Sequence, residues 1–147
     1  MKKSPNDAKQ YQARTLTNGL RALLVHNPES NKSAAALAVN VGHFNDPNHR
    51  QGLAHFLEHM LFLGTEKYPD GSEYQKFINE HGGSNNAWTA TEHTCFFFDI
   101  GQQHFAAAIE RFGEFFTAPL LSEEFVNKER KNIDAEFKLK LKDVSNF

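Results

Sequence analysis

Along the chain, apolar and polar positions alternate with a period of two, shift to a period near 3.6, and then repeat that shift once. Residues 12–16 and 20–26 read as strands joined at Asn18-Gly19, a hairpin signal because both residues tolerate positive φ. A polar turn at 28–32 precedes a third strand over 33–41, with Leu37, Val39 and Val41 on one face. After a polar loop at 42–50, apolar residues at 53, 56, 57, 60 and 61 follow the i, i+3, i+4, i+7, i+8 spacing of an amphipathic helix. That stripe is expected to face a core, and Gly64 to stop the helix.

The second cycle begins at the turn Tyr68-Pro69-Asp70-Gly71, where Asp70 or Ser72 can cap a helix over 73–81 that Gly82-Gly83 ends. Residues 84–90 read as a polar strand. Residues 93–100 read as an interior one, because Thr94, Phe96, Phe98 and Ile100 face one way while Cys95 and Phe97 face the other. A helix over 103–117 carries Phe105, Ala108, Ile109, Phe112 and Phe116 on one stripe; Pro119 breaks it, and Ser122 is a suitable N-cap for a last helix from Glu123. The order of strands, two helices, two strands and two helices predicts an α+β fold, with a mixed, largely antiparallel sheet and helices packed mainly on one face.

Composition narrows the function classes. A chain of 147 residues is one ordinary domain. Residues 1–11 are expected to be a disordered or extended leading segment. Residues 12–147 form the domain, read as incomplete because 138–144 still continue a helix, with no Gly or Pro stop, as the sequence ends. A net charge of −2 with no Lys/Arg cluster argues against a nucleic-acid partner. No run of eighteen apolar residues offers a membrane span. Fourteen Phe residues imply a densely aromatic interior, and a single cysteine, Cys95, excludes an intrachain disulfide or a cysteine-cluster metal site. Any zinc must be held by histidine and carboxylate.

Such a donor set is visible on the first helix. His55 and His59, four residues apart, differ by about 40° around a helix, which places two imidazoles on one side, one turn apart. Glu58 lies beside them, offset enough to reach a water at that metal without ligating it. The order His-x-x-Glu-His is the inverted zinc-protease signature. Two histidines need a third protein ligand if a position is to stay open for water. On the last helix, with Phe125 at zero, Glu129 and Glu136 fall at about 40° and 20°, beside an apolar sector of Val126, Ile133 and Phe137 at about 80–120°. Buried acids face a cation, a metal or one another. The same pair could instead snorkel to solvent, or pair with Arg130 or a lysine.

Taken together, residues 52–65, Tyr68-Pro69, residues 84–89, Glu92-His93-Thr94, Glu129-Arg130 and Glu136 closely resemble the N-terminal domain of the pitrilysin and insulin-degrading-enzyme family of zinc metallopeptidases. The resemblance runs from about Thr15 to the C-terminus. It implies one zinc ion (Zn2+) per domain on His55, His59 and Glu136, Glu58 as general base, and Glu129 as an acid that orients a ligand. The strand over 84–90 resembles the edge on which that family lays its peptide substrates, with Asn86 and Ala87 offering backbone groups and Trp88 lining a side-chain pocket. His93 reads as a hydrogen-bonded structural histidine, and His26, His43, His49, His81 and His104 as surface residues. Family members are far longer, so a missing C-terminal half, in cis or in trans, is an expected partner. The alternative to a metalloendopeptidase is a catalytically silent metal-binding or interaction domain that needs that remainder. The chain as written has no secretory signal and is expected in the cytoplasm, or in the periplasm if the true start lies upstream.

Overall fold

The computed structural model describes residues 3–144; the side chains of residue 137 and of residues 140 onward, including the expected place of Phe137, lie outside the described residues. The chain divides into two compact units, Met1–Asn31 and Lys32–Phe147.

The first unit is an antiparallel hairpin of β1 (Gln10–Thr15) and β2 (Arg21–His26). The hairpin turns at Asn18-Gly19 as expected, but only one of the two residues uses its tolerance of positive φ. Gly19 N–H donates to Leu16 O at 2.9 Å, and only Gly19, at φ 87°, takes the left-handed conformation. This is a turn closed by one left-handed glycine, in which Asn18 uses its side-chain oxygen to accept from Leu20 N–H at 3.1 Å.

The second unit holds a three-stranded antiparallel sheet in the order β3 (Lys32–Val39), β5 (Thr94–Gly101), β4 (Ser84–Thr89). The most apolar strand, β5, is central, as its two apolar faces required. Its Phe96, Phe98 and Ile100 are fully buried against the helices, while Ala34, Ala36, Ala38 and Trp88 on the opposite face are exposed. The fold is therefore α+β, with antiparallel sheets and helices gathered on one side of the larger one. The inward face of β3 is Ser33, Ala35 and Leu37; Val39 and Val41, expected to continue it, are 37% and 44% exposed because the strand ends at Val39.

There are four helices, α1 (Leu53–Leu61), α2 (Glu73–Glu80), α3 (Phe105–Thr117) and α4 (Glu123–Val144); the first three pack on the inner face of the sheet, and α4 packs on α1. The core is a lattice of edge-on rings, with Phe98 and Phe112 centroids 5.2 Å apart, Phe96 and Phe116 also 5.2 Å, and Tyr74 and Phe115 4.7 Å. Each such pair adds about 0.5–1.5 kcal/mol beyond the area it buries. On α3 the buried stripe is Ala108, Phe112 and Phe115, whereas Ile109, expected in it, is 38% exposed. Ser122 Oγ accepts from Phe125 N–H at 3.3 Å, as an N-cap should. Ser72 occupies the N-cap of α2 but makes no cap bond, because its own N–H and hydroxyl both donate to Asp70 Oδ1. Gly83 turns α2 into β4 against β5; a Cβ there would sit 2.1 Å from Asp99 O. Across the outer face, Lys32 and Ser84 donate to the two oxygens of Asp99, tying β3 and β4 to β5 and holding that carboxyl below its ordinary value.

Candidate active site

The apolar stripe expected to bury α1 is only half buried. Met60 and Leu61 enter the core, but Leu53 and Leu57 are 49% and 45% exposed. The helix has rolled so that the face carrying His55, Glu58 and His59 packs toward α4 and β4, where those side chains find polar partners.

Two acids on α4 grip one imidazole from opposite sides. His59 Nδ1–H donates to Glu129 Oε1 at 2.8 Å, and Glu129 Oε2 accepts from Asn132 Nδ2 at 3.0 Å. A carboxylate can only accept, so this contact puts the ring proton on Nδ1 and leaves the Nε2 lone pair directed away from Glu129. That lone pair faces His55 Nε2 at 3.1 Å, and Glu136 Oε2 lies 3.8 Å from His59 Nε2 and 3.9 Å from His55 Nε2. Among the described residues, His55, His59 and Glu136 are the one set of three donor groups whose ligating atoms lie within 4.8 Å of one another.

The chemistry of this donor set fits a small divalent cation. Ligand atoms about 2.0–2.1 Å from a tetrahedral zinc lie about 3.3 Å apart along each edge, and the three separations bracket or slightly exceed that figure. Two imidazole nitrogens and a carboxylate oxygen converge on one point, where a single cation can accept from all three. Three protein donors also leave the fourth position of a tetrahedron open.

Glu58 is 8% exposed and points into the same region. Thr89 Oγ1 donates to its Oε2, while Thr94 Oγ1 donates to Val41 O at 2.8 Å. A groove of about 350 Å³ runs past Glu58, His59 and Glu129, with Phe62 and Leu63 on one wall and Asn85, Asn86 and Ala87 of β4 on the other. The sheet order leaves β4 with one free edge, and Ala87 N–H is held there by Asn86 Oδ1 at 2.9 Å. Trp88 does not line this groove. Strand alternation turns it to the outer face, where it is 47% exposed, packs on Phe97 at 5.5 Å and donates from Nε1 to His93 Nε2 at 3.4 Å.

Several residues take places that the linear pattern did not assign them. Thr89 faces Glu58 only because of the register of β4 against β5. His81 and His104, read as surface, pack ring on ring at 3.8 Å and are half-buried. Asp46 is the largest omission. Its side chain is 2% exposed and accepts from Gly52 N–H at 2.7 Å and Ala54 N–H at 2.8 Å, so a negative charge caps α1 from six residues upstream. Asp46→Ala leaves two half-buried donors without their acceptor at the start of the helix that carries both histidines. Urea unfolding should show a loss of about 1–2 kcal/mol, with Asp46→Asn losing less.

The chain as a whole is similar to known proteins. Residues 21–143 match the insulinase family of peptidases (peptidase family M16). Human insulin-degrading enzyme is 46% identical over 134 residues, which cover 91% of this chain and 13% of that protein. The A-factor-processing enzyme of Saccharomyces cerevisiae is 44% identical over 135 residues, 92% of this chain and 13% of its own. The crystal structure of pitrilysin superposes with a TM-score of 0.89 at 40% identity, over 95% of this chain and 15% of that one. The chain thus spans about 13% of the length of these curated relatives.

Proposed function

Because this chain belongs to the insulinase family of peptidases, M16, we propose that it is the zinc-bearing portion of a metalloendopeptidase that hydrolyses peptide bonds of oligopeptides. The observation that carries this reading is the gathering of His55, His59 and Glu136 within 4.8 Å, beside a buried glutamate and a groove along a free strand edge. His55, His59 and Glu136 would hold the ion. Bound zinc supplies a Lewis acid for a peptide carbonyl and brings the pKa of water toward about 7.

The remaining steps belong to the chain's own groups. Thr89 donates to Glu58 Oε2 and steadies a carboxylate that takes the proton of the attacking water and returns it to the leaving amine. Glu129 fixes the tautomer of His59, so that Nε2 is the ligating atom. The free edge of β4 accepts an extended peptide as an added strand, with a substrate carbonyl replacing Asn86 Oδ1 on Ala87 N–H. Backbone pairing of this kind binds peptides with little dependence on their sequence.

The test is metal content together with hydrolysis of an internally quenched peptide. One zinc per chain is expected, with cleavage lost to a chelator and restored by zinc. Cleavage indifferent to chelation, or a chain that takes up no zinc, would overturn the reading. A second reading, motivated by the 13% of these relatives that the chain spans, is a metal-binding domain silent without the C-terminal half. It predicts bound zinc without turnover, and turnover on adding that half of a full-length relative in trans. No helix among the described residues is long and apolar enough to cross a membrane.

A further inference from the structure

We propose that His43 is a positioning residue for the metal ligand His55, packing against its imidazole so that Nε2 stays aimed at the point shared with His59 and Glu136, and thereby strengthening the hold on a divalent transition metal. The inference rests on the metal reading above and adds a residue to it.

The His55 ring has two imidazole neighbours. The His55 and His59 rings stand edge-on with centroids 4.6 Å apart, and the His43 ring lies 6.5 Å from that of His55, tilted by 58°. Both separations fall in the range where aromatic rings attract one another. His55 thus packs with two rings. Without that of His43, its side chain regains rotational freedom that metal binding must then remove.

His43 can act this way only if it is itself fixed, and three features fix it. It begins a short 3-10 turn whose backbone is pinned to the connection between β4 and β5, with His43 N–H donating to Ala90 O at 3.0 Å and Phe44 N–H to Thr91 O at 2.9 Å. Gly42 makes that approach possible, since a Cβ on it would sit 2.3 Å from Ala90 O. His43 Nδ1 also lies 3.8 Å from Asp46 Oδ2, part of the carboxylate that caps α1. The ring is therefore referenced to the helix that carries His55. It remains outside the donor set, because only His55, His59 and Glu136 bring ligating atoms together among the described residues. At 43% exposure, its side chain can be replaced without opening a core cavity.

Zinc competition titrations and the visible spectrum of the cobalt(II)-loaded full chain test this without requiring activity. His43→Ala should weaken zinc binding about tenfold, the lower end of what partners of metal ligands contribute, and should shift or broaden the cobalt bands. His43→Phe, which keeps a ring and removes the nitrogens, should retain the native affinity and spectrum. Native affinity and spectrum in His43→Ala would overturn the inference while leaving the metal site standing. A His43→Phe variant as weak as His43→Ala would overturn the ring-packing role in favour of the contact with Asp46. A native chain that takes up neither metal would remove the metal reading, and this inference with it.

Discussion

Glu58→Gln should lower peptide hydrolysis by about a hundred- to ten-thousandfold while leaving zinc uptake unchanged. Glutamine has the shape of glutamate, and its carbonyl can still accept from Thr89 Oγ1, so the packing of a side chain only 8% exposed is preserved. What disappears is a basic oxygen. Glu58 is also absent from the set of converging ligand atoms, so its neutralisation removes no donor from the metal. Parallel assays of metal content and quenched-peptide cleavage read the two effects separately. Equal cleavage by native chain and variant would remove Glu58 as the base, and loss of zinc in the variant would recast it as a ligand.

The contrast between Glu58 and its neighbours shows what a linear pattern can carry. The four-residue spacing of His55 and His59 is a local property of any helix, so it could be read before any packing was known. The central place of β5 was legible as well, since apolar residues at nearly every position mark a strand from the interior of a sheet. Which face of α1 turns inward was not. Leu53 and Leu57 satisfy the periodicity of a buried stripe, yet partners supplied by α4 and β4 draw the polar face in. Thr89 and His43 were invisible because each meets the site through a strand register or a turn docked from elsewhere, which no spacing within one element encodes. Asp46 did leave a trace, as an acid upstream of a helix start, but its distance of six residues hid the cap.

The two acids of α4 set the sharpest test, because on a helical wheel they differ by only about 20° and the angle does not assign their roles. Their separation along the axis does. Seven residues are two turns, about 10 Å, enough to reach opposite nitrogens of one imidazole: Glu129 meets His59 Nδ1 at 2.8 Å, while Glu136 lies 3.8 Å from Nε2. Glu136→Ala deletes a ligand and should weaken zinc binding more than the roughly 10–100-fold typical of losing a partner behind a ligand. Glu129→Gln should fall within that range, since an amide oxygen still accepts from Nδ1 but no longer adds charge. Stability should rank the other way. Glu136, with a side chain 36% exposed, can be truncated in the metal-free chain at little cost, whereas Glu129→Ala, which removes a residue 9% exposed and bonded to His59 and Asn132, should cost about 1–3 kcal/mol. Chelator competition and metal-free urea melts measure the two rankings. A reversed order of zinc affinities would make Glu129 the ligand and Glu136 its support.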